Sequence, residues 1–294
     1  MNTVLGNKRN IAIFCLPAIL LLLFFVVYPL FQILVMSFQK TDELSPASFL
    51  GFGNYLKLFR DEPFIRANLQ SIGLSFLAIL FNAVLAIVVA IVLSGLHEKI
   101  QKYIRTAFIL PMVLSVSVIS QLWLSIYHAD WGLLNTFLTA IGLASLTNQW
   151  LINPNTAMLC VAIVGMWWMF GMDLLLAFSG IQSIPETVYE AAELDGCSFT
   201  QMAIHITLPL LKNVSITCVI VSATGGLFTF PQVYIMTGGG PGDLTQTIMM
   251  YMYRQAFSNQ RYGLAAAVAV VAIIEMSVLL FGIFWLFKKI PSTD

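Results

Sequence analysis

The sequence predicts an all-α, polytopic membrane protein with six transmembrane helices, on three observations. First, 59% of its 294 residues are hydrophobic and only 10% are charged, where soluble proteins carry about 25% charged residues. Second, the apolar residues gather in runs of roughly 18 or more, long enough to cross a bilayer. Third, those runs lack the polar face that a soluble helix of such length would show. A chain of this length has room for two soluble domains, but the hydropathy overrides that reading. Residues 1–294 read as one transmembrane domain.

The spans fall at about 11–36, 69–95, 104–127, 156–180, 207–236 and 264–287. The first follows Lys8-Arg9 as a signal peptide would. It is too long for that, and no small-x-small cleavage site follows it, so it reads as a retained helix. In the outer loop 37–68, Phe52-Gly-Asn-Tyr55 and Arg60-Asp-Glu-Pro63 mark turns and a short surface helix. Residues 96–105 read as a short basic inner loop. Residues 128–155 carry no charge except Asp130, and Trp131 and Trp150 suit a headgroup interface. Thr237-Gly-Gly-Gly-Pro-Gly242 opens a flexible outer turn. Cys15, Cys160, Cys197 and Cys218 are not placed as an extracellular disulfide framework.

Orientation follows the basic residues. With both termini inside, Lys8, Arg9, Lys99, Lys102, Arg105, Lys212, Lys288 and Lys289 face the cytoplasm. Lys40, Lys57, Arg60, Arg66, Arg254 and Arg261 face outward. Eight against six favours this orientation by a narrow margin.

The segment 181–211 differs in composition. It carries Glu186, Glu190, Glu193 and Asp195 and no Lys or Arg. Ser183 with Glu186 fits a capping box, with Pro185 in the first turn. Ala191 and Ala192 are strong helix formers, and Gly196 suits the left-handed position that closes a helix. Ser198 with Gln201 fits a second capping box. Phe199, Met202, Ala203 and Ile206 then recur at helical spacing, and Leu208-Pro209 turns the chain back toward the membrane. The spacing predicts a helix–turn–helix lying on the membrane surface. Such a segment is either a solvated interfacial loop or a docking surface. The small residues at 191, 192 and 196, ringed by carboxylates, favour docking.

These residues closely resemble the signature of inner-membrane permease subunits of binding-protein-dependent ABC importers: Glu-Ala-Ala, three residues, Gly, nine residues, Ile-x-Leu-Pro. Here it reads Glu190-Ala191-Ala192, Gly196, then Ile206-Thr207-Leu208-Pro209. The flanks look like the carbohydrate, maltose-type branch: Leu50-Gly-Phe-Gly-Asn-Tyr55, Ile181-Gln-Ser-Ile-Pro185, Asp195-Gly196, Thr237-Gly-Gly-Gly-Pro241, Tyr253-Arg-Gln-Ala-Phe257 and Tyr262-Gly-Leu-Ala265. The resemblance spans nearly the whole chain. It implies a type I importer permease in a bacterial or archaeal cytoplasmic membrane, termini inside, with 181–211 as a cytoplasmic coupling helix. Glu190, Ala191, Ala192, Asp195, Gly196, Leu208 and Pro209 would couple to an ATPase dimer. A second permease, usually a different chain, and an extracytoplasmic sugar-binding protein complete the expected complex. ATP and magnesium belong to the ATPase; this chain needs no cofactor or metal. Carbohydrate and membrane lipid are the expected contacts, and no nucleic acid. Two departures stand out: Cys197, where Ala is common after Asp-Gly, and Pro231 after Phe230, where an acidic residue is common.

Maltose-type relatives line their sugar site from the spans flanking the coupling loop. Carried onto this chain, those positions fall on Trp168, Met169, Met172, Ser222, Gly225, Gly226 and Thr229. Asp173 joins them as a mid-membrane carboxylate, which costs about 2.5–3.5 kcal/mol to insert and so faces a wet cavity or pairs at a subunit interface. Gly225-Gly226 either opens a cavity or lets helices pack closely. If it opens a cavity, replacing Gly226 by Leu blocks uptake with assembly intact. Glu275 reads as structural before transporting. The alternative function is a secondary transporter driven by an ion gradient, with Asp173 or Glu275 as the ion site. An enzyme is disfavoured: His97, His128 and His205 are scattered, no nucleophile–base pair is visible, and no phosphate loop is present.

Overall fold

The structure is a computed structural model that describes residues 8–41 and 46–288. Lys289, counted above toward orientation, and both chain termini lie outside the described residues. Helices dominate. Among the described residues five are long and apolar enough to cross a membrane: α1 (Phe14–Ser37), α3 (Glu62–Ser94), α7 (Ala157–Gln182), the broken helix Lys212–Met236 and α13 (Tyr262–Lys288). A bent pair, α4 (Glu98–Val113) and α5 (Val116–Ile126), makes six if counted as one span. Shorter helices are α2 (Gly53–Leu58), α6 (Leu133–Ala140), α8 (Glu186–Leu194), α9 (Phe199–Met202) and α12 (Ile248–Tyr253). The broken helix divides into α10 (Lys212–Leu227) and α11 (Pro231–Met236).

The chain divides into two compact units. The first holds residues up to Asp61 together with Met252–Ile274. Helix α1 exposes Phe24, Phe25 and Phe31, as a helix apolar on all sides does when lipid is its solvent. After it, β1 (Gln39–Lys40) pairs antiparallel with β2 (Ser48–Phe49). The buried Asn54 donates to the carbonyls of Ser37 and Gln39, both at 2.9 Å, and Ser37 Oγ lies 2.7 Å from the Tyr55 hydroxyl. The predicted Phe52–Tyr55 turn therefore clamps the end of α1. Gly263 is required here, because a Cβ on it would collide with the Gln39 carbonyl oxygen.

The second unit holds Glu62–Tyr251 and the rest of α13. Its core is built from α7 against α3, with Phe170, Leu174, Ala177 and Phe178 packed on Ala86, Ala90 and Leu93. Small residues permit this closeness, as is usual between membrane helices. A Cβ on Gly171 would lie 3.0 Å from Ile109 Cα and nearer still to the Phe108 carbonyl. The Phe108 and Phe170 rings meet at 4.9 Å, and the Arg105 guanidinium caps the Phe178 ring at 4.2 Å.

Five expectations need correction. The span 104–127 is not one helix: Leu114 is extended, Ser115 caps α5 by accepting from Val118 N at 3.3 Å, and the two helices are bent by 99°. The basic loop 96–105 shrinks, because α4 already starts at Glu98 behind His97, whose Nδ1 accepts from Lys99 N. The span 207–236 breaks at Phe228–Phe230, and Pro231 opens the new helix in its first turn, where its missing N–H costs nothing. Ser183 does not cap α8; its hydroxyl donates back to the Gly180 carbonyl at 2.7 Å, closing α7 instead. The turn after Thr237 is knitted rather than loose: Thr245 Oγ1 reaches the Gly240 carbonyl and Thr237 Oγ1, both at 2.7 Å.

Candidate functional site

Two places in the second unit gather the residues singled out above. The first is the polar elbow formed by α8, α9 and the helical turns to Leu210. Helix α8 closes by two bonds, Cys197 N to the Ala192 carbonyl at 2.9 Å and Gly196 N to the Glu193 carbonyl at 3.0 Å. Gly196 stands between them at φ +80°. This is a glycine-closed Schellman end. The capping box of Ser198 and Gln201 then starts α9. Ala192 is buried, while Glu190, Ala191, Leu194 and Asp195 are exposed. Leu194 is 90% exposed, an apolar side chain offered outward beside two carboxylates. The Tyr189 hydroxyl lies 3.1 Å from Thr207 Oγ1 and ties the two arms together. Phe199 sets its ring on Gly95, where a Cβ would lie 2.9 Å from the ring edge. That seats the elbow on the residue that caps α3. Leu208 is exposed and Pro209 half-buried at the return toward α10.

The second place is a cavity of about 220 Å³ among α3, α5, α7, α10 and α11. Three interruptions of helical structure border it. A π-helical turn, Ile79–Val84, carries Asn82. The α4–α5 break presents Val116, and the Leu114 carbonyl freed there accepts from Trp168 Nε1 at 3.1 Å. The α10–α11 break presents Phe228, Thr229, Pro231 and Gln232. Backbone departures of this kind at membrane depth persist where they line a cavity.

A family model described as "Binding-protein-dependent transport system inner membrane component" matches residues 83–290. The chain belongs to this family. It is 38% identical over 270 residues to the probable ABC transporter permease protein YurN of Bacillus subtilis (strain 168), covering 91% of this chain and 92% of that one. It is 30% identical over 269 residues to the sulfoquinovosyl glycerol transport system permease protein SmoG of Agrobacterium fabrum, covering 91% and 86%. Its fold matches a chain of the crystal structure of a bacterial ABC transporter involved in the import of the acidic polysaccharide alginate. That match has a TM-score of 0.84, 24% identity and 98% coverage of both chains. The protein is thus a multi-pass ABC importer permease, a transport subunit rather than an enzyme.

Of the lining residues carried over by resemblance, the permease brings Trp168, Met169, Ser222, Gly225, Gly226 and Thr229 to the cavity. Met172 and Asp173 are not among its walls. Met172 is 37% exposed elsewhere on α7. Asp173 is fully buried, with Oδ2 accepting from Ser222 Oγ at 2.8 Å, so it holds α7 to α10 inside the bundle. Glu275 accepts from Asn68 Nδ2, linking α13 to α3. The two glycines divide their work. A Cβ on Gly226 would lie 2.7 Å from the Leu74 carbonyl oxygen and closer to Ser75 Cα, so Gly226 is a packing contact with α3. A Cβ on Gly225 would meet only the end of Met169, at 3.6 Å. Beyond several apolar wall residues, two polar ones were missed by sequence reasoning, Asn82 and Gln232. A lone carboxamide inside an apolar run is a legible signal, and both give it.

Proposed function

We propose that the chain is the translocating subunit of an ATP-driven importer carrying a sugar or oligosaccharide by alternating access. The observation that carries this reading is the elbow. It is short, fixed by a Schellman end and a capping box, and presents Glu190, Ala191, Leu194 and Asp195 outward while Phe199 roots it on α3. In this reading it is the coupling helix, seated in a cleft on a cytoplasmic ATPase dimer, with Ala192, Gly196, Leu208 and Pro209 setting its shape. ATP and magnesium bind to the dimer. The bent pair α4–α5 counts as one of six spans in one permease domain. Both termini are cytoplasmic, and the membrane is the cytoplasmic membrane of a bacterium or archaeon. Closure of the ATPase rotates rigid permease bodies and turns the cavity outward.

A sugar cargo is supported by the names of relatives, sulfoquinovosyl glycerol among them. An extracytoplasmic sugar-binding protein is supported by the alginate transporter solved with a sugar-bound periplasmic protein. The cavity of about 220 Å³ falls below the roughly 300–1,000 Å³ of complete ligand sites. A second permease, a different chain, supplies the facing wall. Coupling to an ion gradient through Asp173 is disfavoured by its burial against Ser222, off the cavity.

The test is uptake into proteoliposomes holding the complete importer. ATP-dependent uptake persists with an uncoupler present, and Glu190→Lys lowers ATPase co-purification roughly tenfold, the equivalent of about 1.4 kcal/mol. Uptake that collapses with the gradient, or undiminished co-purification, removes the reading.

A further inference from the structure

The cavity wall has a chemistry of its own. Among the described residues, none of the side chains lining it is Asp, Glu, Lys, Arg or His. Its polar side-chain groups are the Trp168 indole N–H, already given to the Leu114 carbonyl, two hydroxyls, Ser222 and Thr229, and two carboxamides, Asn82 and Gln232. Both hydroxyls already have partners: Ser222 Oγ donates to Asp173 at 2.8 Å, and Thr229 Oγ1 donates to the Gly225 carbonyl at 2.8 Å. The carboxamides differ. Asn82 is 2% exposed and Gln232 6%, and the side-chain oxygen of each has no hydrogen-bond partner. Buried polar atoms are nearly always paired, so an unpaired one calls for an explanation. Here two such atoms belong to the wall of one cavity. Each is carried at an interruption: Asn82 on the π-helical turn of α3, Gln232 on the first turn of α11 just past the break. π-helical turns recur at functional sites, and broken membrane helices recur at transport sites.

We propose that Asn82 and Gln232 read the cargo through hydrogen bonds, and that this wall selects an uncharged, polyhydroxylated saccharide unit over an acidic one. The proposal rests on the reading of the chain as a saccharide permease. A carboxamide donates and accepts at once, which matches a sugar hydroxyl that does the same. Trp168 stands in the same wall as an apolar face for a sugar ring. A carboxylate or sulfonate held there would shed water and find no cation in this wall, an unfavourable exchange.

The experiment uses the assembled permease pair with its ATPase in nanodiscs, trapped with vanadate and free of binding protein, so that the binding protein does not filter the cargo, and the substitutions at 82 and 232 separate this wall from the facing one. Binding of a neutral glucose trisaccharide is compared with that of a uronate trisaccharide of equal length. We expect the neutral sugar to bind at least tenfold more tightly. Asn82→Leu and Gln232→Leu each weaken it about tenfold. Asn82→Gln and Gln232→Asn, which keep the amide, recover part of the loss. Should a leucine variant fail to assemble, Asn82→Ser and Gln232→Ser apply the same comparison. Equal or tighter binding of the uronate overturns the selectivity. Wild-type affinity in both the leucine and serine variants overturns the role of the pair. An assembled complex that binds neither trisaccharide and imports no saccharide sinks the saccharide reading on which the proposal rests.

Discussion

A methyl group on Gly226 would press on the α3 backbone at Leu74 and Ser75, whereas one on Gly225 would touch only the flexible end of Met169. Overpacking of this kind costs typically about 1–3 kcal/mol, and more where the neighbour is backbone. Gly226→Ala should therefore lower the melting temperature of the purified complex and its yield. Gly225→Leu should assemble normally and lose uptake, because it fills the cavity. A complex with Gly226→Leu that melts as wild type does would remove this division of labour. The Gly-Gly pair was legible in the sequence as either a cavity or a packing contact. The two alternatives turn out to be adjacent residues on different faces of α10, which a periodicity of 3.6 residues separates by about 100°. The insertion cost of Asp173 was legible, but its engagement inside the bundle was not, since its partner Ser222 lies on another helix and no local pattern announces it.

At the scale of elements, the elbow was read almost residue by residue, because its signals are local. Gly196 lies at φ +80° and the capping box at 198–201 is present. Gly196→Ala places a Cβ in the left-handed region, at a cost of about 1–2 kcal/mol. The end of α8 should fray and ATPase co-purification fall several-fold, while Gly196→Asn, which tolerates that region, keeps most of it. Equal co-purification by the alanine variant would show that this closure does not shape the docking face. The breaks at Leu114–Ser115 and Phe228–Phe230 escaped a hydropathy reading, which averages over windows longer than the interruption. Pro231 hinted at the second. For the first, the Ser115 cap was the available signal, masked by Val and Leu on both sides.

Across the whole molecule, hydropathy alone was enough to fix a multi-pass chain, since 59% hydrophobic residues leave few other architectures. It was weak on sidedness, where eight basic residues stand against six. In a Cys15→Ser background, which removes the exposed cysteine of α1, Cys197 offers a direct check, being partly exposed at the tip of the elbow, whereas Cys160 and Cys218 are buried. A membrane-impermeant maleimide should label Cys197 in inverted vesicles and spare it in intact cells. Labelling from outside would reverse the orientation.

The seat of Phe199 on Gly95 has a mechanical corollary. Helix α3 ends beneath that ring, carries Asn82 thirteen residues back at the cavity, and further along leaves Leu74 and Ser75 against Gly226. At about 1.5 Å per residue, the stretch of α3 from ring to carboxamide is roughly 20 Å long. In the proposed reading, a displacement at the foot of α3 would reach the cargo-reading carboxamide and the neighbouring helix through a single piece of backbone.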